Sequence, residues 1–376
     1  MLMSRNESAI IALSGGVDSA VSALLLRETG YSVQCLHMSN WEDDEYCEAA
    51  KDFQDARRLC QQLNLPLHQV NFSDEYKELV FAHFLDEYQR GRTPNPDVLC
   101  NREIKFGVLR EYVHRLGGHW LATGHYTRIK RNGERFELHK GQDPDKDQSY
   151  FLHAIRESDL TNVLFPLGDR LKKEVRAIAR KASLTVANKK DSSGICFIGE
   201  RPFSKFLGQY LPMSPGEIKD PQGQSLGTHL GLPYYTLGQR RGLGIGGLAA
   251  QSQDAWYVAD KNTDTNELIV VQGTNHPRLY KNWLTANSMH WINSSPPGWS
   301  KGVTLKCCAK TRYRQADQAC TAMMGSGGSI EVYFEQPQRA VTPGQYVVLY
   351  RGSRCLGGAI IDDAEMRAPP LEAAAS

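Results

Sequence analysis

Residues 10–19 are Ile10-Ile11-Ala12-Leu13-Ser14-Gly15-Gly16-Val17-Asp18-Ser19, and this stretch decides the fold. An apolar run ends at Leu13, two glycines follow, and a helical pattern comes next. A strand, a glycine turn and a helix in this order aim backbone N–H groups and a helix dipole at a phosphate. Gly15 and Gly16 let the backbone approach an anion, whereas Asp18 suits a magnesium ligand or a cap of the helix. The stretch predicts a phosphate loop; the alternative is a turn without a ligand.

The same stretch excludes one common class of nucleotide-binding site. It lacks the lysine of the GxxxxGK[ST] loop, so it is not built for ordinary γ-phosphate hydrolysis. The sequence SGGVDS at residues 14–19 resembles instead the pyrophosphate loop of enzymes that split ATP into AMP and pyrophosphate. In those enzymes an acceptor oxygen attacks the α-phosphorus.

Size and composition limit the possibilities further. The chain has 376 residues, 41% hydrophobic and 23% charged, as expected for a globular protein of two or three domains. It has neither an apolar run of about 18 residues nor a signal-peptide core, so we expect a cytoplasmic protein without a membrane segment. The sequence does not give the oligomeric state, although a monomer is favoured. A net charge of +2 does not by itself indicate nucleic-acid binding. Nine cysteines without a CxxC pair argue against zinc and against a secreted disulfide framework.

The residue pattern divides the chain into three folded parts and a tail. Residues 1–204 alternate strands with helices, which predicts an α/β domain with a doubly wound parallel sheet. Residues 205–281 are rich in proline and glycine and predict a small β-rich module. Short strands with glycine turns over residues 282–367 predict a C-terminal β-barrel, and residues 368–376 are typical of a disordered tail.

The doubly wound sheet predicts where a ligand binds. Ligands of such sheets lie beyond the carboxyl ends of the strands. Residues 14–19, Met38 and Gly124-His125 each end or follow a predicted strand. We therefore expect them along one edge of the sheet.

Two cysteines lie in polar stretches that suit thiol chemistry. Cys100 stands where we expect a helix to begin, with Arg102 and Lys105 nearby, and both features favour a thiolate. Asp97 is close enough in sequence to act as an acid or base or to orient a substrate amide. Cys196 lies in a polar, glycine-flanked stretch, so the two thiols can act as a nucleophile and a resolving or persulfide-carrying partner. The alternative for Cys100 is a buried cysteine behind a rigid loop.

Local clusters of basic residues indicate a polyanionic partner. A charge run is usually only a solvated face, but an aromatic residue among the charges favours RNA. The clusters are the helix of residues 170–181 with Lys189 and Lys190, the pair Arg240-Arg241, and the barrel residues Lys306, Lys310, Arg312 and Arg314 around Tyr313. A polar loop at residues 143–151 is either a further contact or solvated surface.

Taken together, the motifs resemble one family, the bacterial tRNA-specific 2-thiouridylases. Matching segments follow one another along nearly the whole chain. They are SGGVDS at 14–19, GRTPNPDVLCN at 91–101, ATGHY at 122–126, KDQSYFL at 146–152, KDSSGICFIGERPF at 190–203, YTLGQRRGLGIGG at 235–247, KTRYRQ at 310–315 and TPGQ at 342–345.

The resemblance implies a pyrophosphate-loop ATPase fold and assigns roles to residues. ATP with Mg²⁺ would lie on Ala12, Leu13, Ser14, Gly15, Gly16, Val17, Asp18 and Ser19, beside Met38 and Gly124. The target uridine would contact Asn95, Pro96 and Asp97, with Cys100 as the nucleophile and Cys196 as the persulfide carrier. The tRNA would also contact His125, Lys146, Asp147, Gln148, Arg312, Tyr313 and Gln345. The expected substrates are tRNAs for Glu, Gln and Lys, and the expected sulfur source is a separate relay protein.

The implied reaction agrees with the residues. Adenylation of the uridine C2 oxygen converts a poor leaving group into AMP, and a persulfide sulfur then replaces it, with a Cys100–Cys196 disulfide as by-product. The wobble base must leave the anticodon stack to reach such a site. The alternative enzyme class is an amidotransferase-type synthetase, but no glutaminase nucleophile is recognisable in the sequence. A purely RNA-binding module would leave the phosphate loop unexplained.

Overall fold

We describe the protein from a computed structural model, which covers residues 7–41, 49–191, 202–245 and 254–368. Cys196, Gly246 and Gly247 of the sequence motifs lie outside these residues, as does the tail from 369. Within the described residues, no helix is both long enough and apolar enough to cross a membrane.

The first part of the chain alternates strands and helices. Its strands are β1 (Ser8–Ala12), β2 (Ser32–Ser39), β3 (Leu67–Asn71), β4 (Trp120–Ala122), β5 (Thr127–Asn132), β6 (Arg135–Lys140) and β7 (Val163–Leu164). Its helices are α1 (Val17–Glu28), α2 (Ala49–Leu63), α3 (Ser73–Tyr76), α4 (Ala82–Gln89), α5 (Pro96–Leu99), α6 (Leu109–Arg115) and α7 (Lys172–Lys181). Wide π-helical turns join α3 to α4 (Lys77–Phe81) and α5 to α6 (Cys100–Val108).

Five of these strands form a parallel sheet in the order β3-β2-β1-β4-β7. Alternate residues of β1 point to opposite faces: Ile10 packs with the α3–α6 side of the sheet, and Ile11 packs with α1, α2 and α7. Both residues are fully buried because helices cover both faces. The strand order reverses between β1 and β4, so the ligand crevice of such a fold opens there. The predicted doubly wound sheet is confirmed.

The middle part is a small sheet of four strands. They are β8 (Gly216–Lys219), β9 (Ser225–His229), β10 (Trp256–Asn262) and β11 (Glu267–Gln272), preceded by helix α8 (Phe203–Leu207). The strand order is β10-β11-β8-β9, and only the β11–β8 pair is parallel. This agrees with the predicted β-rich module.

The last part is a closed barrel. Its strands are β12 (Tyr280–Trp291), β13 (Thr304–Lys310), β14 (Gln318–Met324), β15 (Ile330–Arg339), β16 (Tyr346–Arg351) and β17 (Arg354–Glu365). The order β12-β15-β14-β13-β16-β17 closes because β12 also pairs with β17. Leu284, Val332, Leu349 and Ile361 fill the interior without exposed surface. The predicted C-terminal barrel is confirmed.

The sequence reading missed the hairpin of β5 and β6. The hairpin belongs to the first part of the chain, yet Arg354 of β17 pairs with His139 of β6, so the barrel sheet continues into it. The turn is Asn132-Gly133, with Gly133 at φ +63°. Asn-Gly between alternating residues is the strongest short-range hairpin signal, and it was available in the sequence.

Closure of the barrel gives a stability prediction. A Cβ at Gly357, whose φ is +145°, would overlap the carbonyl oxygen of His290 on β12. We expect Gly357→Ala to destabilise the protein by about 3 kcal/mol, since it adds a clash to backbone strain. The control is Gly352→Ala in the β16–β17 turn, where φ is +57° and the space is open; it should cost about 1 kcal/mol. Urea unfolding measures both, and equal losses would contradict the close contact.

Candidate active site

The loop after β1 is held by short-range hydrogen bonds. The Leu13 N–H donates to the Leu36 carbonyl of β2 at 2.8 Å, and the Ser14 N–H donates to Ser19 Oγ at 3.3 Å. Gly15 has φ +74°, and a Cβ there would lie 2.5 Å from the Asp52 carbonyl oxygen of α2. Gly16 caps α1 without a side-chain hydrogen bond. The first N–H groups of α1 therefore have no capping side chain and suit an anion.

Asp18 forms a partly buried ion pair beside this loop. Both of its oxygens accept hydrogen bonds from Lys172 Nζ of α7 at 2.8 Å, and Oδ1 also accepts one from the Tyr126 hydroxyl at 2.7 Å. Burial and the Asp18 carboxylate raise the pKa of Tyr126, so its hydroxyl keeps its proton. The cap of α1 is Gly16 rather than Asp18, which removes one of the two roles expected for Asp18.

Gly124 brings β4 against the start of α1. A Cβ at Gly124 would lie 2.9 Å from the Ser19 nitrogen. Met38 lies one residue before the end of the neighbouring strand β2. The structure thus places residues 12–19, Met38 and Gly124 at the carboxyl edge of one sheet, as the parallel arrangement requires.

Three cations of the expected RNA-binding helix region lie in internal ion pairs. The Asp191 carboxylate forms salt bridges with Lys172 Nζ at 2.7 Å and with an Arg176 nitrogen at 2.5 Å. Lys146 Nζ, from the polar loop, also contacts it at 2.7 Å. Lys189 donates to Asp52, to Asp55 and to the Gly15 carbonyl oxygen, at 2.8, 2.6 and 3.2 Å. The basic residues of this helix that are exposed to solvent are Lys173, Arg180 and Lys181. Sequence alone could not separate the two groups, because their acidic partners are distant in sequence.

Cys100 lies one turn inside its helix, not at the start. The helix begins at Pro96, and its cap Asn95 accepts the Asp97 N–H at 3.2 Å. Asn followed by Pro at the first helical position is a strong start signal, and it moves the beginning four residues ahead of our expectation. The helix dipole acts mainly on the first turn, so it contributes little to a thiolate at Cys100.

The surroundings of Cys100 are closed and partly polar. The residue is 4% exposed, and Asn40 Nδ2 lies 4.0 Å from its Sγ. Asp97 is half-buried three residues earlier on the same helix; burial raises the pKa of its carboxyl, and the charge of Lys105 opposes that rise. Cys196 lies outside the described residues, five residues after the ion-paired Asp191.

Several residues expected to contact tRNA are occupied inside the protein. His125 is 8% exposed between Phe106 and Phe165, and burial lowers its pKa well below the usual value. Gln148 Oε1 accepts the Tyr126 N–H, and Gln345 Nε2 donates to the Thr93 carbonyl at 2.8 Å. These contacts fix the shape of the site, and tRNA contact by His125, Gln148 and Gln345 stays a prediction.

Asp147 joins the first domain to the barrel. It is 4% exposed and accepts the N–H groups of Gly141 and Ser149, at 3.1 Å each, and Lys310 Nζ of β13 at 3.3 Å. Lys310 is itself 7% exposed and lies over the Tyr350 ring. The prediction that Lys310 belongs to a solvent-facing RNA cluster is therefore wrong, because its ammonium group is buried and paired with Asp147.

The exposed part of the barrel cluster lies on β13 and directly after it. Arg312, Arg314 and Lys306 are exposed. The Tyr313 ring is half-buried, 4.5 Å from the Phe151 ring, with Arg314 above it at 5.3 Å. Arg312 and Tyr313 form a charged and aromatic surface next to the polar loop of residues 143–151.

Four residues of this site were not assigned to it from the sequence, where Lys172 and Lys189 were expected to contact RNA instead. Tyr126, Lys172 and Lys189 hold the phosphate loop, and Asn40 faces Cys100. Tyr126 belongs to the quoted ATGHY motif, and Asn40 directly follows a predicted strand end. Position at the carboxyl edge of the sheet was thus a usable signal for Asn40.

Comparison with known proteins identifies relatives along the whole chain. Three family models match in order: a tRNA methyl transferase HUP domain at residues 7–200, a tRNA methyl transferase PRC-barrel domain at 204–272 and an aminomethyltransferase beta-barrel domain at 281–361. The tRNA-specific 2-thiouridylase MnmA of Hahella chejuensis is 54% identical over 361 residues, which cover 95% of this chain and 98% of the relative. The protein of the same name from Pseudomonas fluorescens is 55% identical over 359 residues, 95% of each. Among solved structures, NMN synthetase from Francisella tularensis is 18% identical, with a TM-score of 0.33 over 54% of this chain and 72% of that chain.

The Asp191 network predicts a pH-dependent stability difference. Burial alone would raise the pKa of Asp191, but hydrogen bonds from Lys146 and Lys172 lower it to about 2. A pKa below the unfolded value means that the stabilisation is present above about pH 4 and is lost as the pH falls towards 2. Asp191→Asn should therefore cost about 1 kcal/mol at pH 7 and progressively less below pH 4.

Melting temperatures of wild type and Asp191→Asn between pH 7 and 3 measure this difference. The control is Asp145→Asn, at an exposed aspartate outside the network. A constant difference over the whole pH range would contradict the ion-pair account.

Proposed function

The chain belongs to the tRNA-specific 2-thiouridylase family, and we propose that it replaces the C2 oxygen of the tRNA wobble uridine with sulfur in an ATP-dependent reaction. One observation carries the proposal. The carboxyl edge of a single sheet holds the phosphate loop after β1 and, through Asn40 after β2, the thiol of Cys100. An activating site and a sulfur-transfer site are thus neighbours, as a reaction at one carbonyl carbon requires.

The α1 end of the site suits a triphosphate. The uncapped first turn of α1 and Gly15-Gly16 offer N–H donors, and Lys172 and Lys189 supply positive charge nearby. Their carboxylate partners can exchange places with phosphate oxygens when ATP binds. Gly124 keeps the wall against α1 free of a side chain.

A magnesium ion fits this site through the phosphates of ATP. Mg²⁺ prefers carboxylate and phosphate oxygens and retains several waters. A direct bond to Asp18 would require Lys172 to leave, since Lys172 occupies both carboxylate oxygens. The ion would neutralise charge on the departing pyrophosphate.

In the proposed first step, the uridine C2 oxygen attacks the α-phosphorus of ATP, pyrophosphate leaves, and the base releases its N3 proton to water. The proton is taken up again when the thiolated base is freed. The N–H groups at the start of α1 are fixed in advance, so they stabilise the growing negative charge without reorganisation. The result is a C2–O–AMP bond, in which the oxygen has become a good leaving group.

In the proposed second step, the terminal sulfur of a persulfide on Cys196 attacks C2, and AMP leaves with the former C2 oxygen. The Cys100 thiolate then attacks Cys196 Sγ, so that a Cys100–Cys196 disulfide forms and the bond to the transferred sulfur breaks. The two cysteines are oxidised as the transferred sulfur is reduced, and an external thiol must later restore them. In the alternative order, Cys100 releases sulfide first and sulfide attacks C2.

Asp97 is the proposed base of this step. It lies three residues before Cys100, and residues at this spacing share one face of a helix. A carboxyl with a raised pKa is a stronger base than an exposed one, which suits removal of a thiol proton. Asp97, with Asn95 and Pro96, also lines the approach of the target base.

The tRNA would lie over Arg312, Tyr313 and the loop of residues 143–151. Exposed charge binds phosphates and an aromatic ring stacks on a base. The wobble base would turn out of the anticodon stack to reach Cys100. We propose tRNAs for Glu, Gln and Lys as substrates and a separate sulfur-relay protein as the donor.

Cysteine substitutions test the sulfur-transfer step. Cys100→Ser and Cys196→Ser should each lower thiolation of tRNA by at least about a thousandfold, because each removes a reacting sulfur. Release of pyrophosphate should persist in both variants. The control is Cys308→Ser, a half-buried cysteine of the barrel strand β13. Mass spectrometry of the wobble nucleoside measures the exchange, and sulfur transfer by either variant would refute its assigned role.

Salt dependence tests the proposed tRNA surface. Arg312→Ala should weaken tRNA binding and reduce the slope of log Kd against log salt by about 1, since one phosphate contact is lost. The matched control is Arg115→Ala, another exposed arginine, at the end of α6. Filter binding at several salt concentrations gives the slopes. An unchanged slope for Arg312→Ala would contradict a phosphate contact and would mean that this cluster is ordinary solvated surface.

A further inference from the structure

Three buried polar atoms around the Cys100 segment have no hydrogen-bond partner among the described residues. They are Asn40 Oδ1, Thr93 Oγ1 and Asn101 Oδ1. Most buried polar atoms in folded proteins are paired, because an unpaired one loses its water without compensation. Such a group at a reactive thiol indicates a ligand that supplies the missing partner.

Asn40 is the member of this group that touches the thiol. It directly follows β2 at the carboxyl edge of the sheet and is 7% exposed. Its Nδ2 lies 4.0 Å from Cys100 Sγ. An amide N–H donates and the sulfur accepts, so in this contact the amide oxygen is turned away from the sulfur.

We infer that Asn40 is a specificity-determining residue whose Oδ1 accepts the N3–H of the target uracil. The inference rests on the proposed function, in which C2 of the base meets a sulfur beside Cys100. N3 is bonded directly to C2, so a base placed for attack presents its N3 edge to groups that line the same thiol. N3–H is the donor between the two carbonyl acceptors of uracil, and Oδ1 is a buried acceptor without a partner.

The same contact distinguishes uridine from cytidine. N3 of cytosine carries a lone pair instead of a hydrogen, so it would face Oδ1 acceptor to acceptor. If the amide turned over to suit it, the contact of Nδ2 with Cys100 Sγ would be lost. A site built to pair a substrate N–H rejects an analogue without it, because the buried protein group is then left unpaired.

Binding of anticodon stem-loops tests the inference. Three RNAs carry uridine, 3-methyluridine or cytidine at the wobble position, and Kd is measured with a non-cleavable ATP analogue. Wild type should bind the uridine RNA about ten- to a hundredfold more tightly than the other two, as expected for one buried hydrogen bond. Thiolation of the uridine RNA by wild type, with ATP and a sulfur source, is measured in parallel.

Two substitutions at the same position separate the acceptor from the amide. Asn40→Ala removes Oδ1, so this variant should bind the uridine RNA and the other two RNAs with about equal Kd. Asn40→Asp keeps an acceptor oxygen and should retain the preference, with slower thiolation because a carboxylate next to the thiolate repels it. Asn71→Ala is the matched control: Asn71 ends the neighbouring strand β3, but its Oδ1 already accepts from Ser73, so the preference should not change.

The outcomes distinguish the inference from the function on which it rests. No thiolation by wild type would overturn the proposed function and the inference with it. Thiolation by wild type with an undiminished preference in Asn40→Ala, or equal binding of uridine and 3-methyluridine RNAs by wild type, would overturn the inference alone. If Asn40→Ala does not fold, the 3-methyluridine comparison in wild type and the Asn40→Asp preference still decide it.

Discussion

A parallel sheet gathers the carboxyl ends of its strands at one edge, and the candidate site depends on this constraint. The loop of residues 14–19 follows β1, Asn40 follows β2 and Gly124 follows β4, so three separate segments meet where the strand order reverses. The helix that carries Cys100 packs on one face of the same sheet. The two parts of the proposed reaction, activation of an oxygen and transfer of sulfur at Cys100, are therefore assigned to neighbouring segments of this edge.

Ion pairs connect this edge to the rest of the molecule. Lys172 bridges Asp18 beside the phosphate loop and Asp191 at the base of the segment with Cys196. Lys310 of the barrel pairs with Asp147 of the first domain. Of these, the Lys310–Asp147 pair is buried, and a buried pair is a weak source of net stability but is costly to break on one side. These pairs thus fix the relative positions of the loop, the barrel and the start of the thiol segment.

The sequence predicted those parts of the fold and site whose signals are local. The strand, glycine loop and helix around Gly15 are recognisable because the residues that specify them lie within one short stretch. The Asn132-Gly133 turn of the β5–β6 hairpin is an equally local signal, although it was not among the predictions. Basic residues were less predictable. Lys310 looked like part of an RNA surface because its partner Asp147 lies 163 residues away, and only the fold brings the two charges together. The helix that carries Cys100 begins at Pro96 and not at Cys100, because the Asn95 side chain caps it.

The central claim is that the C2 oxygen of the wobble uridine leaves the base on AMP. A tRNA anticodon stem-loop with a heavy oxygen isotope at C2 of that uridine, incubated with protein, ATP and a sulfur source, tests it directly. The account predicts that mass spectrometry finds the isotope in AMP, in a one-to-one ratio with thiolated base. Thiolated base together with unlabelled AMP, or with ADP as the nucleotide product, would contradict it.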